Sequence, residues 1–280
     1  MKLYRLSILS LLPVLSLAFS VTSCGETESL DKTQWVVTWQ DEFNDPTADN
    51  RPDPAKWAYD IGANGWGNAE YQYYTNRVEN ASYTTEDGLG CLKITALSES
   101  YGGANFTSAR LKTDGLFTQK YGRFEAKIKL PYGPGIWPAF WMLGDNNATD
   151  GWPTCGEIDI MEEKGYQPNI IAGSLHGPGY SGGNAITQNF GFENMRFDAG
   201  FHIYAVEWSE DKIDFFVDDV LYNRIKRSEV EAKGKWVYDH PFYIILNVAV
   251  GGNYVGSPTS ATEFPQNMYV DYVRVYKKVI

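Results

Sequence analysis

Short segments of alternating apolar and polar residues recur along most of the chain, separated by turns rich in Gly, Asn, Asp and Pro. Alternation with a period of two is typical of β-strands that have one buried face. A hairpin is expected at 212–225 with its turn at Asp218-Asp219, because primed turns favour Asx residues. Apart from one short helical turn at 228–233, no helical periodicity is found. The predicted strands are 92–96, 122–130, 136–143, 157–162, 169–176, 202–208, 213–217, 242–250 and 269–276.

These strands predict the fold class. A chain of many short strands without long helices must bury its apolar faces sheet against sheet. The expected fold is therefore all-β, a two-sheet antiparallel β-sandwich of the jelly-roll type.

The N-terminus has a different pattern. A basic start at residues 1–5 is followed by an apolar run from residue 6 to about 19, and then by Val21-Thr22-Ser23-Cys24. This order is typical of a secretory signal, and the run is shorter than the roughly 20 residues of a transmembrane helix. The surroundings of Cys24 resemble a bacterial lipobox, in which the cysteine becomes the lipidated first residue. Ordinary cleavage nearby, with Cys24 lost or left free, is the alternative.

The domain organisation follows from these features. Residues 1–23 are predicted to be a lipoprotein signal peptide, and residues 24–34 the lipidated cysteine with a flexible polar tether. From residue 35 to 280 no linker, repeat or low-complexity segment interrupts the strand pattern, which predicts one domain. We therefore expect an exported, monomeric lipoprotein of the outer membrane, on its periplasmic or its cell-surface face. Its lipid anchor is the only expected contact with the membrane.

Composition narrows the range of partners. The 280 residues carry a formal net charge of −11, and a surface of that sign repels phosphate backbones, so nucleic acid is not expected as a partner. Aromatic residues make up 15% of the chain, which suits both a β-sheet core and flat platforms for sugar rings. After residue 24 the remaining cysteines are Cys91 and Cys155. One pair is no disulfide framework, and two buried free thiols are expected.

The segment Glu157-Ile158-Asp159-Ile160-Met161-Glu162 carries the strongest chemical signal. Side chains alternate between the faces of a strand, so Glu157 and Asp159 share one face and the isoleucines point inward. Strict alternation would also send Glu162 inward, where an unpaired carboxylate is costly. A β-bulge near Ile160-Met161 resets the alternation and returns Glu162 to the face of the other two acids.

Three carboxyls on one strip of sheet affect one another. Like charges at close range raise the pKa of at least one of them, which leaves that carboxyl protonated near neutral pH. A retaining glycosidase needs this combination, an ionised nucleophile and a protonated acid about 5–5.5 Å apart. An acidic, solvated strand face is the alternative in a chain of this charge.

The predicted strand at 136–143 is apolar on both faces. Trp137, Ala139 and Trp141 share one face, and a second apolar set shares the other. This pattern predicts a strand buried on both sides, but two Trp platforms separated by a small residue also suit a sugar-binding sheet. The sugar-binding interpretation requires that the Trp face also carries Glu157.

The bulged acidic segment resembles the active-site signature of glycoside hydrolase family 16. Similarity to this family extends through most of the chain after the tether, in the order the family has. Within the family the chain resembles bacterial laminarinases, the endo-β-1,3-glucanases, chiefly through the segments around Trp66 and at 177–183. The segments that carry the resemblance to the family as a whole, these two included, are 39–44 (WQDEFN), 65–75 (GWGNAEYQYYT), 107–111 (TSARL), 121–125 (YGRFE), 137–141 (WPAFW), 175–183 (LHGPGYSGG) and 270–276 (VDYVRVY).

The resemblance implies a concanavalin-like jelly roll with a concave substrate cleft. It also implies endo-acting, retaining hydrolysis of β-1,3-glucosidic bonds in laminarin-type glucans by double displacement, without a cofactor for catalysis. Glu157 matches the nucleophile, Glu162 the acid/base, and Asp159 the helper carboxylate between them. The implied substrate contacts are Asn64, Trp66, Arg110, Trp137, Trp141 and His176.

Two of the implied roles have alternatives. His176 is expected on the neighbouring strand, facing the carboxylates, although a lone histidine is often a satisfied structural residue. Many family members hold a structural calcium ion away from the chemistry, and the matching positions are Glu42, the carbonyl of Gly88 and Asp271. These are oxygen ligands, as a hard cation requires. Two carboxylates that satisfy nearby turns are the alternative.

Other functions remain open from the sequence. A mixed-linkage β-1,3-1,4-glucanase, or another polysaccharidase of the family, would have the same signature. A sulfated polymer would call for more cations in the cleft than Arg110 and Lys112. A non-catalytic glycan-binding lipoprotein would need the Trp platforms, but not three aligned carboxyls.

Overall fold

The structure is a computed structural model that describes residues 35–279. The predicted signal peptide, Cys24 and the tether up to residue 34 lie outside the described residues. No helix within residues 35–279 has the length and apolar character needed to cross a membrane. Helices α1 (Asn147–Asp150) and α2 (Arg227–Glu231) are both short. The strands are β1 (Trp35–Asp41), β2 (Ala58–Asp60), β3 (Gln72–Tyr74), β4 (Ala81–Glu86), β5 (Leu89–Tyr101), β6 (Ala104–Ser108), β7 (Arg110–Lys112), β8 (Gly122–Lys129), β9 (Ile136–Gly144), β10 (Glu157–Glu163), β11 (Ile170–His176), β12 (Ile186–Gly191), β13 (His202–Trp208), β14 (Lys212–Val217), β15 (Val220–Lys226), β16 (Phe242–Val250) and β17 (Gln266–Lys278).

The strands form two sheets that pack against each other. The ten-stranded sheet has the order β15-β14-β13-β8-β17-β5-β6-β3, with β1 paired to β17 and β4 paired to β5. The seven-stranded sheet has the order β12-β11-β10-β9-β16-β7-β2. Neighbouring strands within residues 35–279 are antiparallel apart from β3 and β6, which run parallel. The predicted fold class, an all-β sandwich, is confirmed.

The predicted hairpin is present at β14 and β15. Asp218 and Asp219 form its turn with φ angles of 49° and 63°. Both angles lie in the left-handed region, as the central residues of a type I′ turn require, and Asp tolerates that region better than most residues. The turn residues therefore determine where these two strands reverse.

The apolar core lies between the two sheets. Alternate residues of the central strands point into it, so that Ile158 of β10, Phe140 of β9 and Leu246 of β16 are fully buried. The intervening residues point to the other side of the seven-stranded sheet, which we call the outer face. Two small apolar clusters lie on this face: Leu143, Cys155, Tyr243 and Ile245; and Trp137, Ala249 and Val255. Cys91 and Cys155 are both buried and free, as predicted.

Candidate active site

A bulge in β10 places three carboxyls on the outer face. The register of β10 against β11 shifts between Asp159 and Glu162, and its register against β9 shifts between Asp159 and Met161. Ile160 and Met161 both point into the core, with 1% and 0% of their surface exposed. Because two successive residues face inward, the alternation resets and Glu162 returns to the outer face. The predicted bulge is therefore confirmed, and we call Glu157, Asp159 and Glu162 the acidic strip.

The Trp face of β9 is the same outer face. Asp159 pairs with Trp141 and Glu162 pairs with Ala139, and directly paired residues of antiparallel strands project to the same side. The Nε1–H of Trp137 donates to Glu162 Oε1 at 3.0 Å. The condition for a sugar-binding role of the two tryptophans is thereby met.

His176 lies beside the acidic strip, as expected. It pairs with Glu157 across β10 and β11, and its Nε2 lies 2.9 Å from Asp159 Oδ2 and 3.6 Å from Glu157 Oε1. Its other ring nitrogen, Nδ1, accepts a hydrogen bond from the Gly182 N–H at 3.1 Å. The neutral ring then carries its proton on Nε2, so the nitrogen that faces the carboxylates is a donor.

Glu157, Asp159 and His176 are also close enough together to be considered as metal ligands. Ligand atoms of Glu157, Asp159 and His176 lie within 4.8 Å of one another. A metal ligand must offer a lone pair, whereas Nε2 of the neutral ring carries a proton while Gly182 holds Nδ1. This arrangement therefore suits proton chemistry better than metal binding.

Burial raises the pKa values of the whole acidic strip. Burial, and after it the charge of Asp159, raise the pKa of Glu157 to about 8, against the opposing effects of His176, Arg110 and the Trp152 indole. Burial also raises the pKa of Asp159, and a hydrogen bond with Glu157 opposes it. Burial and the charges of Asp159 and Glu157 raise the pKa of Glu162 well above its ordinary value. The three carboxyls therefore titrate as a coupled group that keeps at least one proton at neutral pH.

The expected polar contacts lie on β7 and in the loop after β2. Arg110 forms an ion pair with Asp60, with Nε 2.9 Å from Oδ2. Its guanidinium stacks over Trp66 at 5.1 Å and over Trp141 at 4.7 Å from the ring centroids. Asn64 is exposed and its Oδ1 accepts the Trp66 N–H at 3.1 Å. Arg110, Trp66 and Trp141 therefore form one continuous surface beside the strip.

Three further residues lie beside the acidic strip or its tryptophans, and the sequence analysis did not predict them. Trp152, 49% exposed, donates its Nε1–H to Glu157 Oε2 at 3.1 Å. Tyr254 packs on Trp137 with the ring centroids 4.9 Å apart. Asn247 accepts the Trp141 Nε1–H at 2.8 Å. Asn247 lies within the predicted strand 242–250 on the same side as Trp141, so alternation along that strand was the available signal for it.

The residues predicted for calcium lie on the ten-stranded sheet or next to it. Glu42 forms a two-pronged ion pair with Arg274 at 2.7 and 2.8 Å. The Asp271 carboxylate accepts a hydrogen bond from Lys127 Nζ at 2.7 Å. Since both carboxylates are paired with basic side chains, these side chains do not fit a divalent cation as they are placed, and they do not satisfy turns either.

Sequence and fold both match known proteins. The model of glycosyl hydrolases family 16 matches residues 67–274. A beta-glucanase of Rhodothermus marinus is 41% identical over 274 residues, covering 95% of this chain and 93% of that protein. A glucan endo-1,3-beta-glucosidase of Cryptopygus antarcticus is 38% identical over 262 residues, covering 86% of this chain and 91% of that protein. The structure of the laminarinase catalytic domain of Thermotoga maritima MSB8 has a TM-score of 0.81 at 46% identity, covering 88% of this chain and 100% of that domain.

A β-sandwich with a strip of interacting carboxyls beside exposed and half-buried aromatic side chains has the parts that glycoside hydrolysis needs. The chain belongs to glycoside hydrolase family 16 and is a glycoside hydrolase. The resemblance to this family, first recognised in the acidic segment, is thus confirmed and extends over most of the described residues.

Proposed function

We propose that the protein is an endo-acting, retaining β-glucanase that hydrolyses β-1,3-glucosidic bonds in laminarin-type glucans. One observation carries the proposal: Glu157 and Glu162 share the outer face across a bulge, and each accepts an indole N–H. Two carboxyls on one side of a sugar-binding surface are what double displacement requires. This chemistry uses no cofactor.

In the first step Glu157 acts as the nucleophile. Its carboxylate attacks the anomeric carbon, and the bond from that carbon to the leaving oxygen breaks as Glu162 donates its proton to that oxygen. The product is a covalent glycosyl-enzyme and a shortened glucan. Burial raises the pKa of Glu162, which keeps the acid protonated at neutral pH.

In the second step water replaces the glucan. Glu162, now ionised, takes a proton from water, and the water oxygen attacks the anomeric carbon while Glu157 departs. Two inversions give net retention. Asp159 lies between the two glutamates and hydrogen-bonds with Glu157. Because Glu157 must be ionised to act as the nucleophile, we propose that Asp159 carries the proton of this pair.

The surface beside the strip is proposed to bind the glucan. Trp66, Trp137 and Trp141 offer flat rings to the apolar faces of pyranoses, and Asn64 and Arg110 offer polar contacts. The relatives named above are a beta-glucanase, a glucan endo-1,3-beta-glucosidase and a laminarinase. Their names support β-1,3-glucan as the substrate class, and mixed-linkage glucan is an outcome that the test below must distinguish.

Product analysis on laminarin, curdlan, lichenan and agarose tests the proposal. We expect oligosaccharides to be released from laminarin and curdlan. NMR should show that the products first formed are β-anomers, as retention of configuration requires. Glu157→Gln should abolish release, and Glu162→Gln should lower kcat about 10²–10⁴-fold, while both variants still bind laminarin. Glu163→Gln is the matched control, because that neighbouring carboxyl faces the core and its loss should leave hydrolysis intact.

Other outcomes decide between the alternatives. Lichenan cleaved faster than laminarin would indicate a mixed-linkage enzyme, and agarose cleavage would indicate another polysaccharidase of the family. Binding of laminarin without any products from the wild-type protein would indicate a glycan-binding lipoprotein.

We also propose the expected processing and location of the chain. Residues 1–23 are removed as a signal peptide, Cys24 is lipidated and anchors the protein to the outer membrane, and residues 35–280 form a single monomeric catalytic domain. The sequence around Cys24 supports this proposal. Palmitate labelling that Cys24→Ser abolishes would test the anchor. Calcium stays a prediction, and binding through Glu42 and Asp271 would require Arg274 and Lys127 to release them.

A further inference from the structure

His176 is held both through its ring and through its backbone. Gly182 donates its backbone N–H to Nδ1 at 3.1 Å. The carbonyl of His176 accepts the Tyr238 hydroxyl at 2.9 Å, and the Trp152 ring lies 6.1 Å from the imidazole between centroids. Only 13% of the His176 side chain is exposed. The ring therefore has Nδ1 toward Gly182 and Nε2 toward the acidic strip.

The His176 Nε2 faces a buried carboxyl oxygen that has no hydrogen-bond donor. Asp159 Oδ2 is buried and has no hydrogen-bond partner within residues 35–279. It lies 2.9 Å from His176 Nε2, and Glu157 Oε1 lies 3.6 Å from the same nitrogen. A buried carboxylate oxygen without a donor is costly. Nε2 is therefore the nitrogen of His176 that faces both carboxyls of the pair.

We infer that His176 is a positioning residue: its Nε2–H, fixed in that tautomer by the Gly182 amide, stabilises the single negative charge that Glu157 and Asp159 share. This inference rests on the proposed function and deepens it, because it names what makes the nucleophile available. The pair carries one proton and one charge, and its apparent pKa values belong to both residues. A donor aimed at the charged form favours the ionisation that produces the nucleophile.

The other groups that act on the pair do not reproduce this contact. Trp152 donates to Glu157 Oε2, on the oxygen that His176 does not face. Arg110 lowers the pKa of Glu157 through its charge. The remaining titratable groups whose charges interact with the pair are Glu162, Cys155, Tyr238 and Tyr254. None of these is a hydrogen-bond donor to Asp159 Oδ2.

The pH profile of kcat/KM on laminarin tests the inference. His176→Leu removes the donor at similar volume, so the acid limb should move to higher pH by about 1 to 2 units. His176→Gln carries an amide N–H near the position of Nε2 and should bring the limb back toward that of the wild type. KM should change little in either variant. An acid limb at the wild-type position in His176→Leu would overturn the inference.

A second measurement examines the tautomer in the resting wild-type protein. The chain has three histidines, so NMR of protein labelled with ¹⁵N-histidine can assign each ring. We expect a proton on Nε2 of His176 and none on Nδ1, which accepts the Gly182 N–H, and a proton on Nδ1 would contradict the role of Gly182. Absence of any hydrolysis by the wild-type protein would instead refute the proposed function, and the NMR result would still decide the tautomer.

Discussion

The indole of Trp137 contacts the acidic strip with its N–H edge, and its ring packs against the loop that carries Tyr254. Its Nε1–H donates to Glu162 Oε1 at 3.0 Å, and its ring packs on Tyr254. A hydrogen bond to a carboxylate stabilises the ionised form. The indole therefore lowers the pKa of Glu162, while burial, the largest effect, raises it. We therefore propose that Trp137 is both a sugar platform and a group that lowers the pKa of the proposed acid/base.

Replacing Trp137 by Phe separates these two tasks. The ring stays and the N–H is lost, so the pKa of Glu162 should rise further. Since Glu162 must be protonated in the first step, the basic limb of the pH profile of kcat should move to higher pH. Trp141→Phe is the matched control, because its N–H bonds Asn247 rather than a carboxyl. An unmoved basic limb in Trp137→Phe, or an equal shift in both variants, would contradict this role.

Sequence patterns could not predict the contacts that loop residues make. Alternation in the acidic segment, together with the carboxylate that strict alternation would bury, is enough to predict the bulge and the common face of Glu157 and Glu162. Trp152 and Tyr254 lie outside regular strands, where no periodicity relates a residue to a face. Their contacts with Glu157 and Trp137 depend on how distant loops fold over the sheet.

At the scale of elements, the bulge in β10 is one extra residue between two regular stretches. Against β9, Asp159 pairs with Trp141, Met161 with Phe140 and Glu162 with Ala139, which leaves Ile160 without a pair. Deleting Ile160 would give an unbroken ladder in which Glu162 still pairs with Ala139. Inserting one residue after Ile160 would also restore strict alternation, but Glu162 would then pair with Trp137 instead of Ala139, about 7 Å further along the strand.

Deletion of Ile160 should therefore keep Glu162 on the outer face. We expect the variant to fold and retain measurable hydrolysis, with a loss of stability of about 2–5 kcal/mol from the missing buried side chain. Ile160→Ala is the matched control for that loss. Insertion of Ala after Ile160 should abolish hydrolysis, because Glu162 would lie about 7 Å further along the strand from Glu157 than in the wild type. Urea unfolding and laminarin assays check this, and equal activity of the two length variants would refute it.

The strands with clear alternation could be predicted from the sequence, whereas β1, β4, β6, β12 and the strands of three residues were not recognised. All nine predicted strands are present, although β5 and β17 extend well beyond the predicted ranges. β2, β3 and β7 have three residues each, too few for a period of two to be recognised. Calcium binding was predicted from Glu42 and Asp271, and the basic partners of these residues come from strands distant in the sequence.

At the scale of the whole molecule, the sandwich encloses a carboxyl that the proposed mechanism does not use. Glu163 follows Glu162 in β10 and points between the sheets, with 0% of its surface exposed. Neither of its oxygens has a hydrogen-bond partner within residues 35–279. Burial, and after it the charge of Asp198, raise its pKa well above the ordinary 4.5. Glu163 is therefore protonated in the folded protein at neutral pH.

This burial makes the stability of the whole fold depend on pH. The unfolded chain releases the Glu163 proton near pH 4.5 and the folded protein only at higher pH. Between these two pKa values, this group lowers the free energy of unfolding by about 1.4 kcal/mol per pH unit as pH rises. Glu163→Gln removes the dependence, so its gain in Tm over the wild type should be near zero at pH 4 and grow toward pH 8. Glu193→Gln, at an exposed position, should show no such growth, and a pH-independent difference for Glu163→Gln would refute the protonated state.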